Sequence, residues 1–180
     1  PIYLEALNAD IIVIRHSASG APHFLSRVVD AHIVNAGDGA HEHPTQALLD
    51  LYTIRKEVQH RGGSIDGLRI AMIGDLRFGR TVHSLSKLLA SFDRVHLTCI
   101  APAELRMPGE IVEALRSRGH TVVESDAMES SIAHVDIAYS TRIQEERFAS
   151  KEEANLYRGR YRLNQAIYTQ YCEPNTVIMH

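Results

Sequence analysis

Three arginines stand where a folded α/β chain would use them. Arg15 ends the run Asp10-Ile-Ile-Val-Ile-Arg15, Arg80 follows the turn Gly74 to Gly79 behind Leu68-Arg-Ile-Ala-Met-Ile73, and Arg142 follows the run Val135 to Tyr139. Each apolar run reads as a strand, and in open parallel sheets the carboxyl ends of the strands border the ligand crevice. A guanidinium is a planar fork that matches a carboxylate in two parallel hydrogen bonds. One such arginine would read as a strand end capped by solvent; three in a chain of 180 residues point to a small ligand with two or more anionic groups. Gln144 lies two residues beyond Arg142, so in extended backbone both side chains would share one direction. The plain alternative there is a solvated charge cluster with Glu145, Glu146 and Arg147.

Two other stretches could carry chemistry. Gly74-Asp-Leu-Arg-Phe-Gly79-Arg80-Thr81 has the spacing of a phosphate-cradling P-loop, with arginine in place of the lysine. A helix start offers unsatisfied N–H groups to an anion, so a nucleotide loop, another anion site and an ordinary strand–helix turn all remain open. In Asn35 to Gln46, His41 and His43 form H-x-H, a spacing that could hold a metal in a hydrolase. No second cluster of acidic or histidine residues accompanies it. His43 at a helix start could instead donate to a ligand, with Gln46 facing the same way one turn along, or serve only as a cap.

These residues need elements to hold them. Four consecutive β-formers make 10–15 a buried strand. A helix is predicted for Ala21 to Val29, a strand for His32 to Asn35, and a loop for Ala36 to His43. Pro44 suits a first helical turn, and the helix it opens runs to Val58 with Leu48, Leu51, Tyr52 and Val58 as its apolar face. Gln59 to Gly67, with Gly62 and Gly63, is the linker. Strands at 68–73, 94–100, 121–123 and 135–139 then alternate with helices at 80–91 and 108–118. A charged helix-and-loop stretch spans Ile143 to Asn164, a helix spans Asn164 to Cys172, and a strand starts at Thr176. This alternation predicts an α/β fold of two lobes, with parallel sheets flanked by helices. The lobes are 1–58, including the bridging helix 44–58, and 59–180.

Bulk properties narrow the function. A net charge of −3 with both signs mixed gives no general attraction for nucleic acid or an anionic membrane. No apolar run reaches the roughly 20 residues of a membrane span. Cys99 and Cys172 are far apart, which fits a reducing, cytoplasmic setting better than a disulfide framework. Pro1 and a strand that stops at His180 read as the ends of a fragment.

Taken in order, the motifs resemble the carbamoyltransferase family, specifically its aspartate branch. They are Val-Ile-Arg-His at 13–16, Asn-Ala-Gly-Asp-Gly at 35–39, His-Pro-Thr-Gln-Ala-Leu-Leu-Asp at 43–50 and Gly-Asp-Leu-Arg-Phe-Gly-Arg-Thr-Val-His-Ser-Leu at 74–85. Ala-Pro at 101–102, Met-Pro at 107–108, Thr-Arg-Ile-Gln-Glu-Glu-Arg at 141–147 and Val-Ile-Met-His at 177–180 complete the series. The form Thr-Arg-Ile-Gln favours aspartate over ornithine, whose cationic side chain has no use for a second carboxylate-binding arginine.

The resemblance implies transfer of the carbamoyl group of carbamoyl phosphate to the amino group of L-aspartate, early in pyrimidine synthesis, without metal or cofactor. Arg15 and His43 would polarise the carbamoyl oxygen and Gln46 would orient the carbamoyl NH2. Arg80, Arg142 and Gln144 would clamp aspartate. It also implies a homotrimer with shared active sites, and it leaves room for regulatory chains. The family's S-x-R-T-R phosphate element is not in this span, so the span alone is expected to be inactive. A non-catalytic homologue that binds an amino acid or a protein partner is the competing expectation.

Overall fold

The computed structural model describes residues 2–144, 148, 152, 155, 157, 159 and 161–180. Half of the charged stretch expected as helix and loop, 143–164, lies outside them, as does the cluster of Glu145, Glu146 and Arg147.

Two parallel sheets form, joined by one long helix. A short helix α1 (Ile2–Glu5) precedes β1 (Ile11–His16), α2 (Ala21–Leu25) and β2 (His32–Asp38). Strands β1 and β2 pair in parallel, Ile12 against Ile33 and Ile14 against Asn35. Helix α3 (Pro44–His60) then leads to a five-stranded sheet built from β3 (Arg69–Ile73), β4 (His96–Ile100), β5 (Thr121–Ser125), β6 (Ile137–Ser140) and β7 (Val177–Met179). Its order is β5-β4-β3-β6-β7, with each pair parallel. Helices α4 (Arg80–Leu89), α5 (Gly109–Ser117), α6 (Met128–Ser131) and α7 (Gln165–Tyr171) connect or flank these strands. The parallel α/β architecture is as the sequence pattern predicts.

The strand order positions the site. From β3 the chain goes first to β4 on one side and later returns to β6 on the other. The loops leaving β3 and β6 therefore part at the carboxyl edge, and such a switch point opens a crevice. Thr141 ties the two loops together: its N–H and its hydroxyl both donate to the Ile73 carbonyl, at 2.8 and 3.0 Å.

Three expectations need correction. Strand β1 is not buried on both faces: Ile12 is 6% exposed, but Ile11 and Val13 are 60% and 64% exposed. With β2 alone beside it among the described residues, side chains alternate between a covered and an open face. The buried stripe of α3 is not the one chosen from hydrophobicity. Leu48 and Tyr52 are exposed, Leu51 and Val58 are partly buried, and the covered residues are Ala47, Asp50 and Ile54. Helix α3 packs mainly on α4, and close approach there favours alanine over leucine. Helix α2 ends at Leu25 rather than Val29, because residues 26–28 pass into turns. Beyond the expectations, β2 runs on to Asp38, a 3₁₀ turn forms at Ala103–Leu105, and α6 forms at Met128–Ser131.

Candidate active site

Each of the six polar residues singled out in the sequence lines one cavity of about 330 Å³. Arg15 comes from the end of β1, His43 and Gln46 from the start of α3, Arg80 from the start of α4, and Arg142 and Gln144 from the loop after β6. Three guanidinium groups around so small a space make it an anion site by charge alone.

His43 is the N-cap of α3. Its Nδ1 accepts from the Gln46 backbone N–H at 3.4 Å and lies 3.3 Å from the Thr45 hydroxyl. An Nδ1 that accepts leaves the ring proton on Nε2, the atom then available as a donor. Burial pushes the His43 pKa down from 6.5, and the charges of Arg80 and Arg15 push it further, against an opposing pull from Asp50. A neutral imidazole with a fixed tautomer is the result. His43 also anchors its own backbone, whose N–H donates to the Ser84 hydroxyl at 2.9 Å.

Asp75 shapes the other wall. It is fully buried, and its carboxylate accepts from Phe78 N at 2.9 Å and Gln144 N at 3.3 Å. Burial raises its pKa against the pull of those backbone N–H groups. The Gln144 side chain adds a bond from Nε2 to the Phe78 carbonyl at 2.7 Å, so the turn after β3 and the loop after β6 form one rigid wall. Gly74 permits their contact: its φ is +113°, and a Cβ there would lie 2.7 Å from the carbonyl oxygen of Thr141.

The alternative readings of these stretches fare differently. Arg80 does not close a phosphate loop on itself; its Nη1 donates to the Gly39 carbonyl, at 2.9 Å, in the neighbouring unit. His41 and His43 do not converge, since His41 lies 3.1 Å from the Asp38 carboxylate while His43 caps α3. Among the described residues no group of three or more His, Cys, Asp or Glu is placed to hold a metal.

Sequence reasoning missed Asp50, which lies behind the cavity wall, and Tyr139, which lines it. Asp50, 4% exposed, accepts from Gln46 Nε2 at 2.9 Å and from the Tyr139 hydroxyl at 2.9 Å. The available signal was a carboxylate four positions after Gln46 on a helix, where side chains meet. Nothing local marked Tyr139, which reads as an ordinary strand residue.

Two family models account for nearly the whole chain. The carbamoyl-phosphate-binding domain of aspartate/ornithine carbamoyltransferase matches residues 2–56, and the aspartate/ornithine-binding domain matches residues 66–180. The chain belongs to the aspartate/ornithine carbamoyltransferase family. Within this carbamoyltransferase family it is 63% identical over 172 residues to the aspartate carbamoyltransferase catalytic subunit of Cellvibrio japonicus, a match covering 96% of this chain and 51% of that one. The corresponding subunit of Saccharophagus degradans is 61% identical over the same length, again covering 96% and 51%. The chain thus spans about half the length of the curated relatives it matches.

Solved carbamoyltransferase structures agree. The catalytic subunit of M. jannaschii aspartate transcarbamoylase superposes with a TM-score of 0.84 at 40% identity, covering 99% of this chain and 56% of that one. Aspartate transcarbamoylase from Trypanosoma cruzi in complex with carbamoyl phosphate and aspartate gives 0.86 at 35% identity, covering 99% and 57%. Among the described residues no helix is long and apolar enough to cross a membrane.

Proposed function

We propose that this span carries the acceptor side of an aspartate carbamoyltransferase site, in which carbamoyl phosphate and L-aspartate give N-carbamoyl-L-aspartate and phosphate. One observation carries the reading: Arg15, His43, Gln46, Arg80, Arg142 and Gln144 reach a single small cavity from four separate segments. The names of the relatives, and the ligands in the Trypanosoma cruzi complex, support the choice of substrates.

The roles follow from chemistry. Arg80 and Arg142 take the α- and β-carboxylates of aspartate as paired forks, with Gln144 beside them. Arg15 and the Nε2–H of His43 donate to the carbamoyl oxygen, and Gln46 accepts from the carbamoyl NH2. The neutral amine attacks the carbamoyl carbon, a C–N bond forms, and negative charge collects on the oxygen facing Arg15 and His43. The C–O bond to phosphate then breaks, and the proton lost by the amine passes to the departing phosphate. Donors fixed in advance toward an oxyanion are commonly worth about 10²–10³-fold in rate each. Holding both substrates side by side adds a proximity gain.

The division falls near residue 59, with 1–58 on the carbamoyl phosphate side and 59–180 on the aspartate side. The gap between the two family matches, from 56 to 66, supports this boundary. By family resemblance, the working form is a cytoplasmic homotrimer with shared sites, and this span alone is inactive.

Calorimetric titration of the 180-residue chain with succinate, a dicarboxylate that mimics aspartate without its amine, tests the acceptor site. Binding that is abolished by Arg142→Ala supports the reading, and no binding overturns it. Turnover assays on a longer chain carrying this span separate the enzyme from a non-catalytic homologue that only binds.

A further inference from the structure

The Gln46 side chain is ambiguous on its own. An amide presents an oxygen on one side and an NH2 on the other, and rotation by half a turn exchanges them. The carbamoyl NH2 can only donate, so the site works only when the Gln46 oxygen faces it. Some neighbouring group has to set that orientation.

Asp50 is placed to do so. Its Oδ1 lies 2.9 Å from Gln46 Nε2, and its side chain is buried one helical turn behind Gln46. Turning the amide over would set its oxygen against a carboxylate oxygen, a repulsive contact in place of a hydrogen bond. Asp50 is itself held. Its Oδ2 accepts the hydroxyl proton of Tyr139 at 2.9 Å, and Tyr139 is 2% exposed. Tyr139 lies three residues before Arg142. The Asp50 carboxylate therefore joins the residue that faces the carbamoyl NH2 to the segment that carries Arg142.

We propose that Asp50 is a positioning residue for carbamoyl transfer, which locks the Gln46 amide so that Oε1 and not Nε2 meets the carbamoyl NH2. This rests on the functional reading above. A buried carboxylate that merely tied α3 to β6 would affect stability but not the polarity of Gln46.

A double-mutant cycle in the full-length catalytic chain carrying this span distinguishes the two roles. Asp50→Asn is expected to lower kcat about tenfold, with KM for aspartate changed less than threefold. In a Gln46→Ala background the same substitution is expected to change kcat less than twofold. Gln46→Glu sets two carboxylates together and is expected to cost more than Asp50→Asn. Combining Gln46→Glu with Asp50→Asn restores a donor–acceptor pair with reversed polarity and is expected to recover at least tenfold of that loss. Additive effects without rescue overturn the proposal.

If the Asp50 variants fail to fold, NMR of the unaltered protein decides. Gln46 side-chain NH2 protons protected from solvent exchange support the lock, and unprotected ones overturn it. Absence of transfer by the unaltered enzyme would instead fail the functional reading, so the two failures are separable.

Discussion

Arg80 opens α4, yet its Nη1 donates to the carbonyl oxygen of Gly39, at 2.9 Å, at the end of β2 in the other unit. The arginine proposed for the aspartate side is thus braced by the loop that leads to His43. A guanidinium has five donors, so it can hold Gly39 and still offer a fork to a carboxylate.

Arg80→Lys keeps the charge but loses the fork. It is expected to weaken succinate binding at least about tenfold, since one ammonium cannot serve both the carbonyl and a bidentate carboxylate. Calorimetry on the variant checks this, and an unchanged Kd would show that charge alone is enough.

His43 is expected to titrate at lower pH than a free histidine. Its folded pKa lies below 6.5, because burial and the nearby Arg80 and Arg15 disfavour the cation. Protonating Nδ1 would also remove the acceptor for the Gln46 N–H. Histidine ring NMR of the chain should give a His43 midpoint below 6.5, with the Nε2–H tautomer above it; a midpoint at or above 6.5 contradicts the geometry.

Gly74→Ala should damage the site without touching a ligand-binding residue. A Cβ at φ +113° is strained, and it would press within 2.7 Å of both Thr141 oxygens. The expected outcome is a lowered melting temperature together with weaker succinate binding, because Arg142 follows Thr141 directly. A fall in stability with unchanged binding would mean that the displacement stops at Thr141.

Acid stability should depend on Asp38. Burial raises its pKa, but hydrogen bonds from Asn35, Gly20, His41 and Glu42 outweigh that and bring it to about 2, from an ordinary 3.8. A folded pKa below the unfolded one contributes stability that is complete above 3.8 and lost as pH falls toward about 2. The difference is worth about 2 kcal/mol at neutral pH. Asp38→Asn should lower unfolding free energy by that order at pH 7 and flatten its decline between pH 3.8 and 2. Urea titrations at several pH values measure both, and a parallel shift at every pH would refute the linkage.

The sequence determined which residue types lie at strand ends and helix starts. Arg15, Arg80 and Arg142 follow apolar β-forming runs, and Pro44 marks the start of α3, so local periodicity and proline geometry were enough to place them. The alternation of runs likewise determined parallel sheets. The apolar face of α3 was misread because hydrophobicity describes a side chain, whereas burial depends on which neighbour packs against it. Leu48 and Tyr52 point outward, and Ala47, Asp50 and Ile54 lie inward.

Tertiary structure alone decided what those residues do together. The strand order β5-β4-β3-β6-β7 brings the loops after β3 and β6 side by side, although about 60 residues separate them in the chain. The bond from Tyr139 to Asp50 spans 89 positions, and no local pattern encodes a partner that distant. Charge type and spacing can be read along the chain, but the direction of an amide is set only by the groups packed around it.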